Sequence, residues 1–192
     1  MRLPDDIRSL PGRRFLLRDR RLRTAFHEAC HAVTSIRFGR EFVCVEIVRD
    51  EPVTILPVPG TPVARIVFGQ VRWQTQAKDD AVIALAGLVC EQILNPHNRG
   101  LALLGGGMKD FDDAMEIVAF GGRYIGVADD ADKETCYRYI EESVVPVARQ
   151  MILGDWPAIM KVAEALAAKG KLEYAEVSAI VSACATNPEV AT

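Results

Sequence analysis

Histidine is scarce in this sequence, and long apolar runs are absent. The 192 residues include three histidines. The longest apolar run, residues 81–90, is about half as long as the roughly 20 residues that a transmembrane helix needs. The first six residues, Met-Arg-Leu-Pro-Asp-Asp, lack the apolar segment of a secretory signal. The sequence therefore predicts a protein with no membrane span and no export signal.

Paired cysteines and a strong net charge are also absent. The five cysteines are odd in number and widely spaced, and none belongs to a CxxC pair. This spacing argues against a disulfide framework or a zinc ribbon and predicts reduced, mostly buried thiols in a cytoplasmic protein. A net charge of −3 implies no general attraction to nucleic acid or to an anionic membrane. The balance of 49% hydrophobic and 26% charged residues is typical of a globular domain.

Two of the three histidines stand four residues apart, in the pattern His27-Glu28-Ala29-Cys30-His31. On a helix, residues i and i+4 lie on one face, so both imidazoles can bind a single ion. A glutamate directly after the first histidine lies beside that ion and can take a proton from water. Zinc suits this set, because it accepts neutral nitrogen ligands and needs an open position for water. The pattern predicts zinc ligands at His27 and His31 and a catalytic base at Glu28.

The motif is predicted to lie on a helix. No proline or glycine interrupts the segment before Gly39, and Thr34 continues the stripe of the two histidines. We expect this stripe to flank the core face, so that the histidines do not point into bulk water. The third histidine, His97, lies in a polar loop and is expected at the surface. The core face consists of apolar residues at helical spacing: Phe26, Ala29, Cys30, Val33 and Ile36.

Two carboxylates compete for the third ligand position. Asp110 lies closest to the apolar face of the helix predicted around it, whereas Asp112 and Glu116 are predicted to face water. Alternatively, Asp110 only caps the N-terminus of that helix. Glu91 lies on the last turns of a helix predicted over residues 78–94, which is apolar almost all round, and a buried carboxylate needs a partner such as a metal. The residues alone leave Asp110 and Glu91 open.

Around the motif, the sequence predicts a predominantly helical α+β fold. Residues 41–49 alternate apolar and polar side chains, as a strand does, and residues 53–56 can pair back after a turn. Residues 64–73 provide a further strand, so a small antiparallel sheet of two or three strands is expected. From about residue 133, helical periodicity continues almost to the C-terminus without residues that carry chemistry.

The N-terminal region is rich in arginine. Six arginines lie between residues 13 and 23, around the apolar residues 15–17. Such a segment can be an arm that binds phosphates or a membrane surface. Alternatively, it is a solvated lead-in whose apolar residues pack on the rest of the domain. The acidic excess elsewhere favours the lead-in. We therefore divide the chain into a basic lead-in (1–21), one domain (22–185) and a tail (186–192).

Taken in order, these segments resemble the peptidase domain of the FtsH family. The members of this family are membrane-tethered, ATP-dependent zinc proteases. Residues 24–33 (TAFHEACHAV) look like the HEAGH helix of that family. Residues 85–92 (LAGLVCEQ) are similar to its buried helix with paired glutamates. Residues 106–114 (GGMKDFDDA) resemble its glycine-to-Asn-Asp segment. The similarity spans roughly residues 22–182, and its specific parts are the motif helix and the aspartate segment.

The resemblance implies that His27, His31 and Asp110 hold zinc, because the aspartate of the matching segment is the third zinc ligand in that family. Glu91 then becomes a group that orients a ligand histidine. Two departures are a thiol, Cys30, where the family has glycine, and Lys109 where it has asparagine. The thiol either packs in the core or perturbs the site. Peptidase domains of this family form rings, which makes a homo-oligomer an open expectation.

The sequence contains no Walker A motif. We therefore expect a stand-alone zinc endopeptidase that cuts flexible or already unfolded polypeptides, or one that depends on a separate ATPase or adaptor. One alternative is a zinc-containing binding or adaptor protein that has lost turnover. The other is a helical interaction protein without metal, since HExxH is short enough to occur by chance. The intact Glu28 argues against the first alternative.

Overall fold

A computed structural model describes residues 20–48, 51–57, 70–94, 107–128 and 131–185 of the chain. The prediction of a predominantly helical α+β fold with a small antiparallel sheet is confirmed. The arginine-rich segment up to residue 19, His97 and the tail lie outside the described residues. The elements follow in the order α1 (Arg20–Arg37), β1 (Phe42–Val48), β2 (Glu51–Pro57), α2 (Gln70–Leu94), α3 (Gly107–Ile125), α4 (Lys133–Tyr139), a π-helical turn (Ile140–Val144), α5 (Val145–Gly154), α6 (Trp156–Lys169), β3 (Lys171–Glu173) and α7 (Tyr174–Ala185).

The chain divides into two compact units, with boundaries between residues 58 and 59 and between residues 151 and 152. The first unit contains α1, the three strands, α6 and α7. The second contains α2, α3, α4 and the π-helical turn, and the second boundary falls within α5. The proposed division into residues 1–21, 22–185 and 186–192 stays a prediction.

In the first unit, α1 packs along α6. The ring of Phe26 is fully buried, and its centroid lies 4.7 Å from that of Trp156 on α6. Burying an aromatic side chain of this size removes a large apolar area from water, which stabilises the pair of helices. Ala29, Cys30 and Val33 are buried as predicted, whereas Ile36 at the end of the helix is only half-buried. The predicted motif helix is confirmed.

The sheet lies in the same unit and has the strand order β2-β1-β3. Both pairings are antiparallel, with Val48 opposite Glu51 on one side and Val45 opposite Leu172 on the other. The third strand is therefore Lys171–Glu173, which the sequence pattern did not predict. The strand predicted over residues 64–73 is wrong at its end, because residues 70–73 begin helix α2. The rest of that segment lies outside the described residues.

In the second unit, α2 and α3 pack against each other. Their close approach requires small side chains, because a Cβ atom built on Gly121 would lie 2.6 Å from the Cβ of Ala77. Helix α2 begins at Gln70, eight residues before the predicted start at Lys78. Glu91, in the last turn of α2, is half-buried, so the expectation that it is buried is wrong.

Candidate metal centre

The two motif histidines lie one turn apart on the same face of α1. Their Nε2 atoms are 3.3 Å apart, and the ring centroids are 5.0 Å apart at an interplanar angle of 66°. His27 is buried, with 4% of its surface exposed, and His31 is half-buried. The predicted convergence of the two imidazoles is therefore present in the structure, and it follows directly from the helical repeat.

The spacing of the two nitrogens fits a single zinc ion. Two ligand nitrogens at about 2.05 Å from zinc, at a tetrahedral angle, are about 3.3 Å apart. The two Nε2 atoms have this separation. The same separation also allows a hydrogen bond between the two rings, with the donor set by the tautomers. The distance is thus compatible with a shared ion and with a direct contact of the imidazoles.

Asp110 provides a carboxylate for the same group. The ligand atoms of His27, His31 and Asp110 all lie within 4.8 Å of one another, and these three described residues could hold a metal ion. Asp110 lies in the first turn of α3, three residues after its start at Gly107, so it is not the residue that caps the helix. Its Oδ2 atom is buried, although the residue as a whole is half-buried.

The competing candidate, Glu91, is not a member of this group. It lies in the last turn of α2 and is half-buried, as Asp110 is. On the exposed face of α3, Asp112, Asp113 and Glu116 point to water, as predicted for the first and last of them. Of the two carboxylates that the sequence offered as a third ligand, Asp110 is the one that belongs to the group that could hold a metal ion.

Glu28 is the buried carboxylate of the site. Only 3% of its surface is exposed, and its Oε1 atom lies 4.0 Å from Nε2 of His27. Burying a charged group costs free energy unless partners or a metal compensate for it. A carboxylate in this position, next to an imidazole nitrogen and shielded from bulk water, can accept a proton from a water molecule and release it again. The adjacent Cys30 is fully buried and packs in the core.

Arginine side chains at the two ends of α1 were missed by the sequence reasoning. Arg21 Nε donates a hydrogen bond of 2.8 Å to the carbonyl of Ala167, and Arg37 binds the carboxylate of Asp155 through two nitrogens. The hydrogen bonds to Asp155 raise the pKa of Arg37, so it stays charged. Because Arg37 and Asp155 are 118 positions apart, no local pattern could have predicted this pair.

No known family model and no curated protein matches this sequence. Among the helices of the described segments, none combines the length and apolar character required to cross a membrane. All five cysteines lie in described segments, and none forms a disulfide. The assignment of a function therefore depends on the chemistry of the histidine helix and on the carboxylates near it.

Proposed function

We propose that this protein is a zinc-dependent endopeptidase of the FtsH peptidase-domain type, which hydrolyses flexible or unfolded polypeptide segments. The observation that carries the proposal is the 3.3 Å separation of the two Nε2 atoms beside a buried glutamate. His27, His31 and Asp110 hold the ion, and Glu28 acts as the catalytic base. The absence of disulfides supports a reducing, cytoplasmic location for the enzyme.

The donor set suits zinc better than the common alternatives. Two imidazole nitrogens and one carboxylate match the ligand types of catalytic zinc sites, which keep a fourth position for water or substrate. Magnesium and calcium prefer sites made of oxygen ligands alone. Zinc bound there would polarise the scissile carbonyl and lower the pKa of bound water toward about 7.

Glu28 carries out the two proton transfers of the reaction. Its carboxylate takes the proton of the attacking water and then gives that proton to the amine that leaves. Oε1 lies 4.0 Å from Nε2 of His27, so the base is beside the ligand face of the helix.

Glu28→Gln tests the proposal, because it keeps the shape of the side chain and removes the base. We expect the zinc-loaded parent to cleave an unstructured protein substrate and the variant to retain zinc but lose at least about 100-fold in rate. Glu116→Gln is the matched control, since Glu116 is exposed on α3 and should leave the rate unchanged. Cleavage is measured by the appearance of new amino termini, with zinc determined in the same samples.

Equal cleavage by the parent and Glu28→Gln would show that a contaminating protease is responsible and would contradict the proposal. Zinc in both proteins with cleavage by neither, including in the presence of an added ATPase partner, would favour a zinc-containing binding or adaptor protein. If zinc binding survives in Asp110→Ala but is lost in Glu91→Ala, the third ligand is Glu91 on α2 and not Asp110.

A further inference from the structure

The basic segment over residues 13–23 carries a charge opposite to that of the rest of the chain. It contains six arginines and a single acidic residue, Asp19, whereas the chain as a whole has a net charge of −3. At physiological salt, interactions between exposed charges are largely screened beyond about 8 Å. A large surface that touches this segment therefore responds to its local positive charge and not to the net charge of the protein.

The described part of the basic segment is the first turn of α1. The helix begins with residues 20–23 (RRLR), and its first turn contains no acidic residue. The N-terminus of a helix carries a partial positive charge, which favours acidic side chains and disfavours basic ones. The arginines thus lie where they do not stabilise α1, and an anionic surface bound by the segment would offset their repulsion.

The positive charge of this turn is accessible. Arg21 and Arg23 are both exposed. Nε of Arg21 donates a hydrogen bond of 2.8 Å to the carbonyl of Ala167 on α6, and the side chain is exposed in this contact. The hydrogen bond orients the guanidinium without removing it from solvent, so a partner outside the protein can reach its charge.

Apolar residues determine which kind of anionic partner suits the segment. Phe15, Leu16 and Leu17 are consecutive and lie between Arg14 and Arg18. Cations alone suffice to bind the phosphates of a nucleic acid. Apolar side chains next to basic ones are the combination with which peripheral segments enter the headgroup region of a membrane. The composition therefore favours a lipid surface over a nucleic acid.

We propose that residues 13–23 bind this protein to membrane surfaces that contain anionic lipids. The arginines contact the lipid phosphates, and Phe15, Leu16 and Leu17 enter the boundary between headgroups and acyl chains. The inference goes beyond the proposed peptidase, because it assigns a partner to residues outside the candidate metal centre. It does not depend on bound zinc.

Sedimentation of the whole chain with lipid vesicles tests the inference. We expect the parent to bind vesicles of phosphatidylcholine mixed with phosphatidylglycerol, and to bind vesicles of phosphatidylcholine alone much more weakly. Replacing Arg13, Arg14 and Arg18 together by glutamine should weaken binding to the anionic vesicles about 100-fold, since each arginine near such a surface contributes about fivefold. Raising the salt concentration should release the parent from the same vesicles.

Two further variants separate the contributions of charge and apolar contact. Replacing Lys109, Lys133 and Arg138 together by glutamine removes the same charge from exposed positions on α3 and α4, and this variant should bind as the parent does. Phe15→Ser retains every arginine and should weaken binding about tenfold, because it removes an aromatic side chain from the apolar boundary. Circular dichroism of each variant verifies that it is folded.

Equal sedimentation with the two kinds of vesicle, or equal losses in the two triple variants, would overturn the inference. Binding of single-stranded RNA that Phe15→Ser leaves unchanged, with no binding to vesicles, would also overturn it and would assign the segment to nucleic acid. Glu28→Gln should bind vesicles as the parent does, so this outcome is distinct from that of the peptidase test.

Discussion

The carboxylates of α1 and α3 differ in how far they are exposed. Glu28 on α1 is almost completely buried, whereas Asp112, Asp113 and Glu116 on α3 all face water. Asp110, at the start of α3, lies between these extremes. Exposed acids on an amphipathic helix keep it soluble and need no further role. The buried glutamate and the half-buried aspartate are therefore the carboxylates for which a chemical function is the better explanation.

The same contrast holds for the aromatic residues of the two helices. Phe26 on α1 is fully buried against Trp156, and Phe120 on α3 has 83% of its surface exposed. The helix that carries the histidines is thus surrounded by the core, which restricts the motion of its side chains. A metal site benefits from such rigidity, because its ligands must stay within a narrow range of positions.

The largest effect is expected from truncating the buried aromatic ring. Phe26→Ala should lower the free energy of unfolding by about 3 to 5 kcal/mol, because it leaves a cavity beside Trp156. Phe120→Ala should change it by less than about 0.5 kcal/mol, as is usual for exposed positions. Urea denaturation followed by circular dichroism measures both. Equal losses in the two variants would show that the burial contrast between α1 and α3 does not determine stability.

The second-largest effect, a loss of zinc affinity, is expected at one of two aspartates on α3. Asp110→Asn removes a charged ligand and should weaken zinc binding by at least about 100-fold, which exceeds the usual loss for groups that only support a ligand. Asp112→Asn, two residues away and exposed, should bind zinc as the parent does. Equilibrium competition with a chelator gives both affinities. Parallel losses would mean that general negative charge on α3, and not a specific ligand, attracts the metal.

The smallest effect concerns an exposed carboxylate with a local structural role. Oδ1 of Asp132 accepts a hydrogen bond of 2.8 Å from the backbone N–H of Thr135 and caps α4. The hydrogen bonds with Thr135 lower the pKa of Asp132. A lowered pKa in the folded state means that the cap stabilises above the unfolded pKa, near about 4, and that this contribution is lost as the pH falls through the folded value.

Asp132→Ala should therefore melt at a lower temperature than the parent at pH 7, and the difference should shrink as the pH falls below about 4. Asp132→Asn keeps an acceptor for the cap but does not titrate, so it should remain close to the parent at pH 7. Melting curves at several pH values test this. A difference that grows on acidification would contradict the assigned pKa direction.

Features that depend on neighbouring residues could be predicted from the sequence. Apolar residues at helical spacing around Phe26 predicted α1, and the i, i+4 spacing predicted that His27 and His31 converge. Both patterns reflect backbone geometry, which acts within a few residues. The exposed side of α3 was predicted by the same argument, because Asp112 and Glu116 lie opposite its apolar residues.

Features that depend on distant residues could not be predicted in this way. Strand β3 has three residues, too few for an alternating pattern to be recognised. The start of α2 is not visible in the sequence, because residues 70–73 (QVRW) continue the segment that predicts a strand. The pair of Arg37 with Asp155 joins positions far apart in the chain. The preference for Asp110 over Glu91 depends mostly on a family resemblance, because residues that meet from different helices leave no local pattern in the sequence.

The most direct test of the metal centre is the zinc content of the purified protein, measured by mass spectrometry beside His31→Ala. The account predicts one zinc ion per chain in the parent and a loss of that ion in the variant, since removing one of two imidazoles leaves too few ligands for a stable site. A parent that binds no zinc when supplied with it, or a His31→Ala variant that retains a full equivalent, would contradict the account.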